Sequence, residues 1–236
     1  ALYLYRGFQR TTSMRPDDMA APTKITYFHP ELSLYGASVS GRVGEGVLSL
    51  EAAYYDSRQD RSGNDFAVPN SQTRLLAGYQ IQPLEDLSLG LQYYAEHMRD
   101  YAAYRAALPA GFPVEERLNR TVTLRVTQLL MHQTLRLSVY AAHNASNGDR
   151  FINPEIRYGF TDQVWGAIGA NLFGGKPWGQ FGQLSRDDNV YAQMRYEFCS
   201  PRFRRNIRCL VPHPARKLDR GCRVPPAGGA AGAGKR

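Results

Sequence analysis

The first 198 residues contain no cysteine; all three, Cys199, Cys209 and Cys222, lie in the last 38. For the body of the chain this excludes a disulfide framework and a thiolate metal site. Long hydrophobic runs are missing too. Arg, Glu, Gln or Asn interrupts every apolar stretch before it reaches the 18 residues of a membrane-spanning helix, so helical membrane proteins are excluded. Helical spacing of apolar residues is rare. The text has no initiator Met and no charged start followed by an apolar stretch and a small-residue cleavage site. It opens directly in strand-like sequence, Leu2 to Phe8, as a fragment or mature form is expected to.

The charge is unevenly placed. The formal +8 divides after Phe198 into 19 basic against 20 acidic residues, and then 10 basic against a single acid. Residues 1–198 therefore read as the folded part. Residues 199–236 end in Pro-Pro-Ala-Gly-Gly-Ala-Ala-Gly-Ala-Gly-Lys-Arg and carry too little apolar surface to offset chain entropy, so they are expected to form a disordered basic tail. An arm for nucleic acid or anionic lipid is the functional alternative. A composition artefact such as translation past a natural stop is the preferred reading, and no nucleic-acid partner is expected. The three cysteines lack C-x-x-C spacing, which argues against zinc.

What is present is alternation. Leu87, Leu89, Leu91 and Tyr93 point one way while Ser88, Gly90, Gln92 and Tyr94 point the other; Val122, Leu124 and Val126 alternate with Thr121, Thr123, Arg125 and Thr127. Period two over such windows predicts strands at 2–8, 31–40, 46–57, 71–81, 87–98, 117–130, 134–143, 150–160, 164–173 and 189–198. Several exceed the usual 5–6 residues of soluble strands and match the 9–11 that a tilted strand needs to cross a bilayer. The connections alternate, long (9–30, 58–70, 99–116, 174–188) against short (41–45, 82–86, 131–133, 161–163), with a medium one at 144–149. All tight turns then fall at one end of the strands, an asymmetry characteristic of outer-membrane barrels and unlike Greek-key sandwiches. Tyr79, Tyr158, Phe160, Trp165 and Tyr196 fall near the short-turn end, and Tyr54, Tyr55, Tyr93, Tyr94, Tyr140 and Phe173 near the long-loop end. They suggest two interfacial belts, against the plain alternative of aromatic enrichment in strands.

Asn189 to Phe198 places Val190, Ala192, Met194, Tyr196 and Phe198 at alternate positions. This segment resembles the closing strand of bacterial outer-membrane barrels, which implies recognition by the barrel-assembly machinery through Met194, Tyr196 and Phe198. With the turn at Thr161 and the loop Gly174 to Gly179, residues 1–198 resemble a porin-like family of bacterial outer-membrane β-barrels. The resemblance brings no active site. It implies an all-β fold, an antiparallel transmembrane barrel of about ten visible strands that is complete or part of a larger one. It also implies a location in the outer membrane among its lipid and lipopolysaccharide.

In such a barrel the faces opposite the apolar stripes must line the lumen, because Arg or Lys on the lipid face costs about 2–4 kcal/mol at the midplane. Glu51, Arg74, Glu96, Arg125, Arg136, Glu155, Arg157, Arg195 and Glu197 are the candidates. They suit either a selectivity lining for a small hydrophilic solute or a salt-bridged plug. Asp100 to Leu108 leans helical within a long loop and offers Tyr101, Tyr104 and Arg105 as a constriction. Asp56 to Asp65 resembles a calcium loop faintly, but Arg58 and Arg61 oppose a cation and the closing Glu is absent, so no metal is expected. His143-Asn144-Ala145-Ser146 is the one cluster with nucleophile, base and orienting group types, at a spacing unlike that of outer-membrane phospholipases. Gly36 to Gly41 misses the G-x-S-x-G elbow by one residue. No catalytic residue and no cofactor is expected. The chain is expected to serve as a porin-like channel, with a non-conducting surface-binding barrel and an outer-membrane hydrolase as alternatives.

Overall fold

Two-residue alternation of apolar and polar side chains, rich in Leu, Val, Thr and Tyr, is satisfied by extended backbone in which successive side chains leave opposite faces. The computed structural model describes residues 1–19 and 21–198. Among them the elements run β1 (Leu2–Phe8), β2 (Ser13–Pro16), β3 (Ile25–Phe28), β4 (Glu31–Val43), β5 (Gly46–Ser57), β6 (Gln72–Leu84) and β7 (Leu87–Met98). There follow α1 (Tyr101–Ala107), β8 (Leu118–Leu130), β9 (Leu135–Asn144), β10 (Arg150–Gly159), β11 (Val164–Gly174), a 3-10 turn (Gly182–Leu184) and β12 (Asn189–Tyr196). The fold is all-β. Ten strands form one antiparallel sheet in the order β1-β4-β5-β6-β7-β8-β9-β10-β11-β12, and β2 and β3 pair separately as a hairpin.

All ten expected strands are present, with ends shifted by at most three residues. The order is an up-and-down meander, so the turns at 44–45, 85–86, 131–134 and 160–163 lie along one edge and the longer connections along the other. Three expectations need correction. The loop 9–30 contains the β2–β3 hairpin. Pro83 and Leu84 belong to β6, so only Glu85 and Asp86 turn the chain. The last strand stops at Tyr196 and not at Phe198, although the Glu197 amide still donates to Gln163 O at 2.7 Å. The coarser expectation, one antiparallel sheet of ten strands, is met; β1 and β12 are not paired with each other, so among the described residues the sheet is open. The expected tail, 199–236, lies outside the described residues.

Register fixes two faces, because residues directly opposite on neighbouring strands point the same way. One row runs Leu48, Tyr79, Leu91, Leu124, Ala141, Ile152, Leu172 from β5 to β11. A second, through Val126, Val139, Pro154, Ala170 and Val190, lies on the same face. Each strand touches its sheet neighbours, and among the described residues no second layer covers this face. Its apolar side chains are accordingly open: Val39 is 65% exposed, Leu124 42%, Ile168 62% and Val190 77%.

Pro154 has no amide to give to Ala170 across the β10–β11 ladder, and the pairing lapses there. The Asn153 side chain replaces the missing donor, giving Nδ2 to Ala170 O at 2.9 Å. At the short turns, Gly44 takes φ +60, while Met131, His132 and Gln133 adopt φ 53, 56 and 69 in succession. Three adjacent left-handed residues other than glycine are costly. Thr134 holds the turn, donating its hydroxyl to Met131 O at 2.7 Å and its amide to the same oxygen.

Candidate functional site

All nine charged residues expected to share a face do so. Glu51, Arg74 and Glu96 lie on β5, β6 and β7; Arg125, Arg136, Glu155, Arg157 and Arg195 on β8, β9, β10 and β12, with Glu197 just beyond. The aromatics divide. Tyr79, Tyr158 and Tyr196 at the short-turn end and Tyr54 and Tyr93 at the other stand on the apolar face. Trp165, Tyr55, Tyr94, Tyr140 and Phe173 stand on the charged one, which corrects their expected place in interfacial belts. Phe160 lies outside the strands. The physical reason is the one-residue phase of the pleat, since adjacent Tyr54-Tyr55 and Tyr93-Tyr94 must leave opposite faces.

The polar face carries two clusters. In the first, Arg74 Nη2 meets Glu96 Oε1 at 3.0 Å and Gln72 Oε1 at 2.7 Å, and its guanidinium lies 4.1 Å from the centre of the Tyr55 ring. Tyr94 donates its hydroxyl to the other Glu96 oxygen at 3.1 Å. Beside them opens a recess of about 450 Å³ lined by Tyr3, Gly36, Glu51, Tyr55, Arg74 and Tyr94. Glu51 is exposed there and forms no ion pair among the described residues. In the second, Arg136 Nη2 meets Glu155 Oε1 at 3.2 Å, and Tyr191 donates to Glu155 Oε2 at 2.9 Å across the intervening β11. That reach is open because the residue beneath is Gly169, whose missing Cβ would collide with the Tyr191 hydroxyl. Arg157 lies 3.7 Å from the centre of the Trp165 ring, Arg125 5.6 Å from that of Tyr140, and Arg195 Nε pairs with Glu197 at 3.3 Å.

The long-loop edge is organised by carboxylates. Asp60 accepts the amides of Gly63 and Asp65, at 3.0 and 2.7 Å, and the Ser62 hydroxyl. Asp56 pairs with Arg61, and Asp65 with Arg15 of the β2–β3 hairpin. The calcium-like segment therefore spends its carboxylates on protein partners, and no group of three metal-ligating side chains occurs among the described residues. Asp149, 1% exposed, accepts the Phe181 amide, which seats the 175–188 loop so that Phe181 stacks on Phe151 at 5.4 Å. Sequence reasoning missed Asp149, since an Asn-Gly-Asp-Arg turn looks like any other.

Of the constriction residues, α1 buries Tyr104 and leaves Arg105 exposed. Tyr101 donates to Glu115 O at 3.0 Å, and the Tyr104 hydroxyl accepts the Glu115 amide at 3.0 Å. Glu115 keeps contact with water while protein surrounds its carboxyl on most sides. Burial first, and the Glu96 carboxylate second, push that carboxyl above its ordinary range. The 99–117 loop thus brings an acid close to the first polar cluster. His143 and Ser146 make no hydrogen bond to each other among the described residues. His143 shares the apolar face with Val122, whereas the Ser146 hydroxyl donates to Leu118 O at 2.7 Å and accepts the Arg120 amide. Met194 and Tyr196 stand exposed on the apolar face of β12, and Phe198 is exposed beyond its end.

No protein-family model matches the chain, and no curated protein or solved structure matches it either.

Proposed function

We propose that residues 1–198 build a bacterial outer-membrane β-barrel whose polar face lines a water-filled passage for a small hydrophilic solute, in the manner of porin-like proteins. The observation that carries this reading is the exposed apolar face, continuous from β4 to β12 and backed by a charged one. Covering a Leu, Val or Ile side chain is worth about 1.5–3 kcal/mol. Roughly twenty such side chains left in water would forgo more than the 5–15 kcal/mol by which a whole domain is stable. Bilayer hydrocarbon is the cover that fits, because strands of 8–13 residues match its thickness. The charged face must then turn inward. Free edges are not tolerated in lipid, so the reading requires β1 and β12 to be paired in the membrane, with each other or with further strands. Met194, Tyr196 and Phe198 would serve the barrel-assembly machinery.

The test is conductance. The full chain, refolded and inserted in planar bilayers, is expected to give stepwise ion currents. A fully folded, inserted and silent protein would overturn the passage. It would favour the second reading, a closed barrel acting through its surface loops, which the strand-bridging Arg136–Glu155–Tyr191 cluster and the tightly seated 175–188 loop support.

A further inference from the structure

We propose that Arg136, Arg157 and Trp165 form a binding site for a small oxyanion, so that the solute admitted to the polar face bears a carboxylate or phosphate. This rests on the proposed reading that the polar face is wet. Arg136 and Arg157 stand directly opposite each other on β9 and β10. Like charges in that position repel, and the local carboxylates do not neutralise both. Glu155 gives one oxygen to Arg136 and the other to the Tyr191 hydroxyl. Glu197 is engaged by Arg195 and by the Trp165 indole N–H, at 3.3 and 3.4 Å. From β8 to β12 the polar face thus carries four arginines, Arg125, Arg136, Arg157 and Arg195, against two glutamates.

The excess charge is localised. Among the described residues Arg157 forms no ion pair, and its guanidinium is held 3.7 Å from the Trp165 ring centre. Stacking occupies the flat face of a guanidinium and leaves its N–H edge for a two-pronged bond to an oxyanion. Across the pair, Arg136 Nε is buried with no acceptor. That atom is closed to solvent, but the Arg136 side chain as a whole is 41% exposed, so an oxyanion between the two strands would meet its outer N–H groups and those of Arg157 while cancelling the repulsion. The platform is preset, because Trp165 is fixed at its other edge by Glu197.

The probe is inorganic phosphate and the reporter is Trp165 itself. The chain has two tryptophans, so a Trp178→Phe protein refolded in detergent isolates it. Phosphate is expected to change its fluorescence saturably, and KCl at matched ionic strength is not. Arg157→Gln should weaken the response tenfold or more, and Arg157→Lys, which keeps the charge but not the fork, severalfold. Folding of each variant is checked by heat-modifiable migration in gels. A folded Trp178→Phe protein without a saturable phosphate response overturns the site, and so does a response that Arg157→Gln leaves unchanged. The readout needs no current. A conducting barrel blind to phosphate would refute the site alone, and a silent barrel that binds phosphate would refute the passage alone.

Discussion

Thr123 and Leu124 are neighbours in the chain and meet opposite surroundings, Thr123 beside Gln92 on the polar face and Leu124 beside Leu91 on the exposed apolar one. An arginine at each position separates the two environments. Leu124→Arg should lower folding stability in lipid vesicles by about 2–4 kcal/mol, whereas Thr123→Arg should cost under about 1 kcal/mol, both read from urea titration. A second residue-scale prediction concerns Asp17, which lies outside the sheet. Its carboxylate accepts the Thr23 hydroxyl and the amides of Asp18, Thr23 and Lys24, and these bonds, the Thr23 hydroxyl foremost, hold it down at about 2. A depressed carboxyl stabilises the β2–β3 turn above its unfolded pKa and loses that contribution as pH falls through the folded one. The Thr23 and Lys24 amide resonances should therefore move between about pH 4 and pH 2, and Asp17→Asn should abolish that movement.

At the scale of elements, the ten sheet strands were legible because Leu87 to Met98 or Leu118 to Leu130 repeats one two-residue phase long enough to exclude a helix. The β2–β3 hairpin was not. Four residues such as Ser13-Met14-Arg15-Pro16 show no phase, and what shapes the hairpin is a side chain, Asp17, capturing amides six and seven residues on. The Met131–Gln133 turn was visible only as a short gap, since nothing in Met-His-Gln advertises positive φ. The hairpin is an annex. Gln9 N reaches Pro30 O at 2.8 Å at its base, so replacing 11–28 with two glycines should leave the β content of the sheet and its heat-modifiable migration intact. Gly169→Ala, by contrast, should displace Tyr191 from Glu155. The added Cβ also meets the Pro154 carbonyl oxygen at 2.9 Å, so the expected cost exceeds the roughly 1 kcal/mol of one lost hydrogen bond.

For the whole molecule, the sequence pattern placed the nine charged residues on one face but could not show which of them touch. Arg136 opposite Arg157, or Tyr191 reaching Glu155 over a glycine, depends on inter-strand register, which hydrophobic phase leaves undetermined. The proposed function makes one global division, hydrocarbon against one face of the sheet and water against the other. Spin labels at successive positions 122 to 126 of the full chain, its three cysteines replaced by serine and the protein reconstituted in lipid vesicles, test it directly. The account predicts that labels at 122, 124 and 126 are relaxed by oxygen dissolved in the lipid, and those at 123 and 125 by a water-soluble nickel chelate. Equal access of the chelate to both sets, or protection of 122, 124 and 126 from both reagents, would contradict it.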